Sequence, residues 1–359
     1  MKTTGLVCGI APGATSGGEV LERETLLAIR RIGHEPHVLL AHGKPAPPDL
    51  LVEETRPARG QRWPIMAWLG PIWLERCWKR HRPDAVRAHS ILGPGLAAVR
   101  WRDMWSRKVP YVPVVIHHQH FDADDRWRWL KVAVLKRADA VVTISYFSRR
   151  QLQALGVGRV HVVPCGVGPE YRPAIVDRDR PIVLFLGELK ARKNVPFLLR
   201  AWVHVRRQVP NAMLWVAGDG PDWPRVQRTA MRLGLLDSVA FMGTVSECMK
   251  PALYRMAAVF AFPSLMEGFG LPVLEAMASG LPVVCSDRGA LPERFEHGKG
   301  GWRAALEDGP EAFADLIAAL LVDADVRRAM GAVNVAAARA FSWDESARRL
   351  EAILESVRR

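Results

Sequence analysis

The sequence predicts an α/β protein of two Rossmann-like domains, each a parallel sheet covered by helices, that face a central cleft. Three observations carry this expectation. Strand-like apolar runs alternate with helical patterns along the whole chain. A stretch rich in proline and charge, Pro169 to Pro181, divides those runs into two sets. A chain of 359 residues is too long for one ordinary core and suits two. The expected division is a first domain over 1–170, a linker over 171–180 and a second domain over 181–342. A final helix over 343–359 is expected to pack back toward the first domain.

The elements follow in order. Leu6–Ile10 reads as the first strand and Gly13–Gly18 as a glycine-rich turn. A helix from Glu19 to about Ile32 follows, closed by Gly33. His37–Leu40 is the second strand, and the Pro-, Gly- and charge-rich stretch from Gly43 to Pro64 reads as a long connection. Ala85–Ala88, Val112–Ile116, Ala140–Ile144 and Val160–Val163 complete the first set of strands. The second set is Ile182–Leu186, Met213–Ala217, Val239–Met242, Val259–Phe262 and Val283–Cys285, with helices in the gaps. Trp343 to Val357 forms a last amphipathic helix with Ser342 as its N-cap. Ligands of such sheets sit at the carboxyl ends of the strands.

Composition narrows the class. Hydrophobic content of 49% with 24% charge excludes a disordered chain, and no apolar run reaches the roughly 18 residues of a spanning helix. The first residues read as a strand entering a turn, not a signal peptide, so a cytoplasmic location is expected. Five scattered cysteines without a Cys-x-x-Cys pair predict neither a disulfide framework nor a zinc site, only small buried residues. The net charge of +13 is uneven: residues 1–175 carry 26 Lys and Arg against 15 Asp and Glu, and the remainder 24 against 22. Eight of the 13 tryptophans lie between Trp63 and Trp129, interleaved with basic residues as in Arg126-Trp127-Arg128-Trp129. That pattern suits a peripheral position on an anionic membrane surface, at its inner face. A solvated arginine-rich face is the plainer alternative.

The most informative segment is Glu267-Gly268-Phe269-Gly270-Leu271-Pro272-Val273-Leu274-Glu275. Its glycines let backbone approach a ligand, and a helix starting near Leu271 aims its positive end at a phosphate. Two acceptor-only carboxylates eight positions apart, one in the loop and one a turn into the helix, suit the hydroxyls of a sugar or ribose. The segment resembles the E-x7-E signature of the retaining family 4 glycosyltransferases, which have the GT-B fold. Further landmarks occur in the family's order: Gly17-Gly18-Glu19, Gly33-His34-Glu35, Ile144-Ser145, Pro164-Cys165-Gly166-Val167, Gly187-Glu188-Leu189 with Lys193-Asn194, Val216 to Pro221, Phe241-Met242-Gly243 and Phe262-Pro263-Ser264. Cys165 replaces the family's usual asparagine, and Glu188 its usual arginine.

The resemblance implies roles. Glu275 would bind the ribose hydroxyls and Glu267 those of the donor sugar. Backbone of Phe269, Gly270 and Leu271 would meet sugar and diphosphate, and Lys193 would neutralise the leaving diphosphate. Gly17 and Gly18 would close over the phosphates, and His117, placed just after a strand, would contact the donor sugar. With Glu188 in place of arginine, either Glu188 turns away or the donor is positioned differently; Lys190 and Arg192 are close enough in the loop to replace the missing charge, and Arg192 is favoured because a guanidinium meets two phosphate oxygens at once.

The expected activity is therefore that of a metal-independent hexosyltransferase, moving a sugar from a UDP- or GDP-sugar to a lipid-linked or cell-envelope saccharide. No cofactor is expected, the nucleotide-sugar being a substrate, and no nucleic-acid partner. His117, His118 and His120 lack the acidic partner of a metal site, and Asp122-Ala123-Asp124 reads as solvated surface. Three rivals stand beside this. A nucleotide-sugar epimerase shares the architecture, and a non-catalytic polyanion binder shares the charge. A nicotinamide oxidoreductase would need a Gly-x-Gly-x-x-Gly after the first strand, which is absent.

Overall fold

The computed structural model describes residues 2–7, 17–41, 51–55, 63–105, 112–118, 126–173 and 180–358. The chain divides into two compact units, Met1–Gly166 with Ser342–Arg359, and Val167–Phe341.

The first unit runs β1 (Lys2–Val7), α1 (Gly17–Arg31), β2 (Glu35–Ala41), β3 (Leu51–Thr55), α2 (Trp63–His81), β4 (Ala85–Ala88), α3 (Leu96–Trp105), β5 (Val114–His118), α4 (Arg128–Lys136), β6 (Ala140–Thr143), α5 (Tyr146–Ala154) and β7 (Val160–Val162). The described strands form one parallel sheet in the order β3-β2-β1-β4-β5-β6-β7. The order reverses between β1 and β4, the place where open α/β sheets bind ligands. Several sequence expectations are corrected here. The first strand starts at Lys2, earlier than Leu6, because polar Thr3 and Thr4 are buried within it; residues 8–10 of the expected strand lie outside the described residues. The stretch read as one long connection contains β3, whose Leu-Val-Glu-Glu-Thr pattern is too short and too charged to stand out. Gly17 and Gly18 belong to the first turn of α1, not to a turn before it; residues 13–16 of the expected turn lie outside the described residues.

The second unit runs β8 (Ile182–Leu186), α6 (Val195–Gln208), β9 (Met213–Ala217), α7 (Trp223–Arg232), β10 (Val239–Gly243), α8 (Lys250–Met256), β11 (Val259–Phe262), α9 (Leu271–Ala278), β12 (Val283–Ser286), β13 (Gly301–Ala304), α10 (Gly309–Val322) and α11 (Ala324–Ala338). Its parallel sheet has the order β10-β9-β8-β11-β12-β13, reversing between β8 and β11. The last strand, β13, is not evident from the sequence, since Gly-Trp-Arg-Ala has no strand period. Strands β8, β11 and β12 are buried throughout and read as continuous apolar runs, as a sheet covered on both faces requires.

The final helix, α12 (Trp343–Val357), belongs to the first unit and packs on α1. Ser342 caps it, accepting from the Glu345 N–H at 3.1 Å, while Trp343, Ala347, Leu350 and Leu354 form its buried stripe. Arg31 Nε donates to Asp344 at 2.9 Å and Ser346 Oγ to the Pro164 carbonyl at 2.6 Å, tying both ends of the unit together.

The tryptophans divide by role. Trp73, Trp78 and Trp101 are in the core of the first unit, which the sequence pattern did not reveal. Trp68, Trp127 and Trp129 are exposed. Of the cysteines, Cys77, Cys165 and Cys285 are buried as expected, whereas Cys248 is exposed and Cys8 lies outside the described residues.

Candidate active site

In the second unit, β8 and β11 are parallel neighbours at the reversal, so the loops leaving their carboxyl ends meet. The first loop ends in a 3-10 turn, Ala191–Lys193, which Asn194 closes in the left-handed region at φ 57°. The second loop carries Ser264 to Gly270. Their meeting brings three donors to one carboxylate oxygen. Lys193 Nζ donates to Glu267 Oε1, Arg192 Nη1 donates to the same oxygen at 2.9 Å and to the Met266 carbonyl at 3.0 Å, and Ser264 Oγ lies 2.9 Å from it. Oε2 takes none of these bonds. Lys193 and Glu267 are both buried. Burial pushes the Glu267 carboxyl up, but Lys193 and Arg192 outweigh it and hold the group below the usual carboxylate range. Burial lowers the Lys193 ammonium against the pull of Glu267, and Arg192 adds to the lowering.

Glycine geometry shapes the rest of the second loop. Gly270, at φ 84°, is the N-cap of α9, and a side chain there would run into Leu291. Gly289, at φ 62°, brings its backbone against that of Glu267, where the Ala290 N–H donates to the Glu267 carbonyl at 2.9 Å. Phe269 is buried beneath the Arg294 guanidinium, 3.9 Å from the ring centroid. Glu275, in the second turn of α9, is also buried and accepts from the Tyr254 hydroxyl at 2.8 Å. The Tyr171 hydroxyl reaches the same carboxylate. Burial raises the Glu275 carboxyl to about 7 against the opposing Lys250 and Tyr254, with Glu247 adding to the rise. The glutamate at position 188 is turned into a half-exposed pair with Lys190 at 2.8 Å, which leaves Arg192 rather than Lys190 beside Lys193 and Glu267.

The first unit holds the other expected residues. His117 is inside β5, one residue from its end, rather than beyond the strand; the run of hydrogen-bonded pairs extends to His118 opposite Thr143. Its ring is buried, and its Nε2 has no hydrogen-bond partner among the described residues. Burial, then the charge of Arg87, hold the imidazole well below its ordinary range, against the pull of Glu22. Gly18 offers its carbonyl to His89 Nε2 at 3.0 Å.

Two family models account for most of the chain: "Glycosyltransferase Family 4" matches residues 15–171 and "Glycosyl transferases group 1" residues 180–323. The O-antigen chain mannosyltransferase B of Escherichia coli is 31% identical over 305 residues, covering 74% of this chain and 78% of that protein. The chain belongs to glycosyltransferase family 4. The GDP-mannose-dependent alpha-(1-6)-phosphatidylinositol monomannoside mannosyltransferase of Mycobacterium tuberculosis is 34% identical to the family 4 chain over 253 residues. That match takes in 62% of this chain and 65% of its relative's length. Among solved structures, sucrose-phosphate synthase from Thermosynechococcus elongatus superposes with a TM-score of 0.83 at 19% identity, covering 99% of both chains, and so shares the GT-B fold.

Sequence reasoning on this family 4 chain missed Ser264, Tyr254, Tyr171, Arg294 and the Glu22–Arg87–His89 cluster. Ser264 stood in a quoted landmark without a role, and the others carry no local signature because tertiary packing alone brings them to their partners. Among the described residues no group of three or more His, Cys, Asp or Glu side chains is placed to hold a metal ion. His120 and Asp122 to Asp124 lie outside the described residues. No helix among the described residues is long and apolar enough to cross a membrane.

Proposed function

We propose that the protein transfers a hexosyl group, with retention, from a nucleoside diphosphate sugar to a saccharide or lipid-linked acceptor of the cell envelope, without a divalent metal. The observation that carries this is the convergence of Lys193 and Arg192 on Glu267 ahead of the amino end of α9. Two cations beside a helix N-terminus supply the field that a leaving diphosphate needs, at the point where negative charge develops. Glu267 Oε2 is left to accept from sugar hydroxyls, and Glu275 to accept from ribose. The names of two relatives support this reading: one is a GDP-mannose-dependent phosphatidylinositol monomannoside mannosyltransferase, the other an O-antigen chain mannosyltransferase. The anomeric C–O bond breaks through an oxocarbenium-like transition state. The acceptor oxygen then bonds to the anomeric carbon on the same face, and its proton passes to the departing phosphate oxygen. His117 would meet the donor sugar from the first unit, with Gly17 and Gly18 near the phosphates.

The deciding experiment has two steps. A panel of nucleotide sugars is screened for protection against thermal unfolding, and the best donor is then assayed for sugar transfer to envelope lipids in EDTA. Transfer in EDTA is expected. Activity lost in EDTA and restored by magnesium or manganese contradicts the metal-free reading. Conversion of the donor to an epimer without any acceptor establishes the epimerase instead.

We also place the protein at the cytoplasmic face of the membrane as a peripheral enzyme. The exposed stripe of α2 begins with Trp68, Leu69 and Ile72 and continues with Arg76, Lys79 and Arg80, an apolar segment leading into a basic one. The Arg100 guanidinium sits 4.8 Å from the Trp68 ring centroid. Indole and aliphatic groups enter the headgroup boundary while the cations meet lipid phosphate. Binding to anionic vesicles is therefore expected to weaken strongly as salt approaches 1 M, where the Debye length is about 3 Å. Trp68→Ala with Ile72→Ala should weaken it at all salt concentrations. Equal binding to neutral and anionic vesicles leaves only a solvated surface.

A further inference from the structure

One buried polar cluster of the first unit has no part in these roles. Glu22 on α1 and Arg87 on β4 are 1% and 2% exposed, and Arg87 Nη2 donates to Glu22 Oε1. Glu22 Oε2 faces His89 Nδ1 at 2.6 Å, and His89 Nε2 faces the Gly18 carbonyl at 3.0 Å. The His89 ring is thus placed between two acceptors, the Glu22 carboxylate and the Gly18 carbonyl. The His89 ring centroid is 6.2 Å from that of His117 on the neighbouring strand β5. The cluster therefore links, through the end of β4, the first turn of α1 and the end of β5, the two segments expected to reach the donor from this unit.

Stability is a poor reason for such a cluster. Removing a carboxylate and a guanidinium from water is costly, and apolar replacements of similar volume are often as stable or more so. Fixed geometry is the better explanation. We propose that Glu22 is a positioning residue of the transfer reaction: through His89 it fixes the first turn of α1 at Gly17–Gly18 and the ring that lies beside the imidazole of His117. This rests on the reading that those groups meet the donor. The charge of Arg87, itself held by Glu22, helps keep the buried His117 ring neutral near pH 7, so that its Nε2 offers one defined hydrogen bond to a sugar hydroxyl.

The test uses Glu22→Gln, the charge-balanced double variant Glu22→Gln with Arg87→Met, and His117→Ala. For each, kcat, donor KM, affinity for free nucleoside diphosphate and the ring-nitrogen NMR signals of labelled histidines are measured. Glu22→Gln is expected to lower kcat by about tenfold to 10²-fold, the scale of a small misplacement of reacting groups. Nucleoside diphosphate affinity should fall by less than kcat does, because only the Gly17–Gly18 contact is disturbed while Lys193 and Glu275 lie in the other unit. The His89 and His117 ring signals should shift. The double variant, with its charge balanced, should recover thermal stability but not kcat, and it decides the matter if the single variant does not fold. A double variant that is folded and turns over within twofold of the parent overturns the proposal. If His117→Ala abolishes turnover in that case, only the role of Glu22 fails; if His117→Ala is silent as well, the reading of the donor site fails with it.

Discussion

Lys193→Met is expected to lower kcat by about 10²- to 10³-fold, the usual cost of removing one preorganised group from a site of developing negative charge. Its ammonium is buried, sits 4.7 Å from the Phe262 ring centroid and points at Glu267, so no neighbouring solvent cation replaces it. The substitution also leaves a buried carboxylate with Arg192 and Ser264 as its remaining named partners, and breaking a buried pair typically costs about 3–5 kcal/mol. Thermal unfolding must therefore be followed beside turnover. Adding Glu267→Gln to Lys193→Met removes the buried charge that lost its lysine and should restore stability without restoring kcat. Within the same loop the cations should separate. Arg192→Ala should lose much of the turnover, since Arg192 shares Glu267 with Lys193. Lys190→Ala should lose little, since Lys190 is half-exposed and engaged with Glu188. A folded Lys193→Met protein that turns over within threefold of the parent would remove the basis for the proposed mechanism.

The contrast between those two cations shows what the sequence could and could not supply. Spacing placed Lys190, Arg192 and Lys193 in one loop after a strand, and the chemistry of guanidinium favoured Arg192. Which of them meets the second loop is decided by the pairing of β8 with β11, a contact between residues about 75 positions apart. The strands of the second unit were legible because burial on both faces makes them unbroken apolar runs. β3 and β13, at the sheet edges, carry charge or glycine and did not show. The E-x7-E segment was legible because its glycines have no other use: Gly270 must take a positive φ against Leu291. Tyr254 and Tyr171 were not, because a tyrosine that hydrogen-bonds a buried carboxylate looks in sequence like any core aromatic. The Glu22 cluster was hidden for a similar reason: Glu22 comes from α1 and Arg87 from β4, where a buried Glu and Arg look like ordinary surface charges.

Glu275 should give the protein two opposite responses to pH. Burial raises its carboxyl from the ordinary 4.5 to about 7, with Lys250 and the Tyr254 and Tyr171 hydroxyls favouring the charged form and Glu247 opposing it. The folded state thus holds a proton that the unfolded chain releases near 4.5. The stability this contributes, on the order of 3 kcal/mol, is fully present below 4.5 and is lost as pH rises through about 7. Ribose binding runs the other way. An ionised carboxylate accepts from two hydroxyls, whereas the protonated group loses an acceptor position, so nucleoside diphosphate should bind more tightly as pH rises through 7. At pH 8, Glu275→Gln should weaken that binding by about 1.5–3 kcal/mol, a loss of roughly 10- to 150-fold. At pH 6 the gap should shrink by about tenfold, because most of the parent carboxyl is then protonated. Taking the ratio of the two proteins cancels the titration of the diphosphate itself. Tyr254→Phe removes a hydrogen bond that favours the ionised form and should move the midpoint upward. Calorimetric titration between pH 5.5 and 8.5, with thermal unfolding over the same range, measures both responses. A ratio that does not change with pH, beside a parent protein whose stability does fall toward pH 7, would mean that Glu275 is a buried acid of the fold and that ribose is held elsewhere.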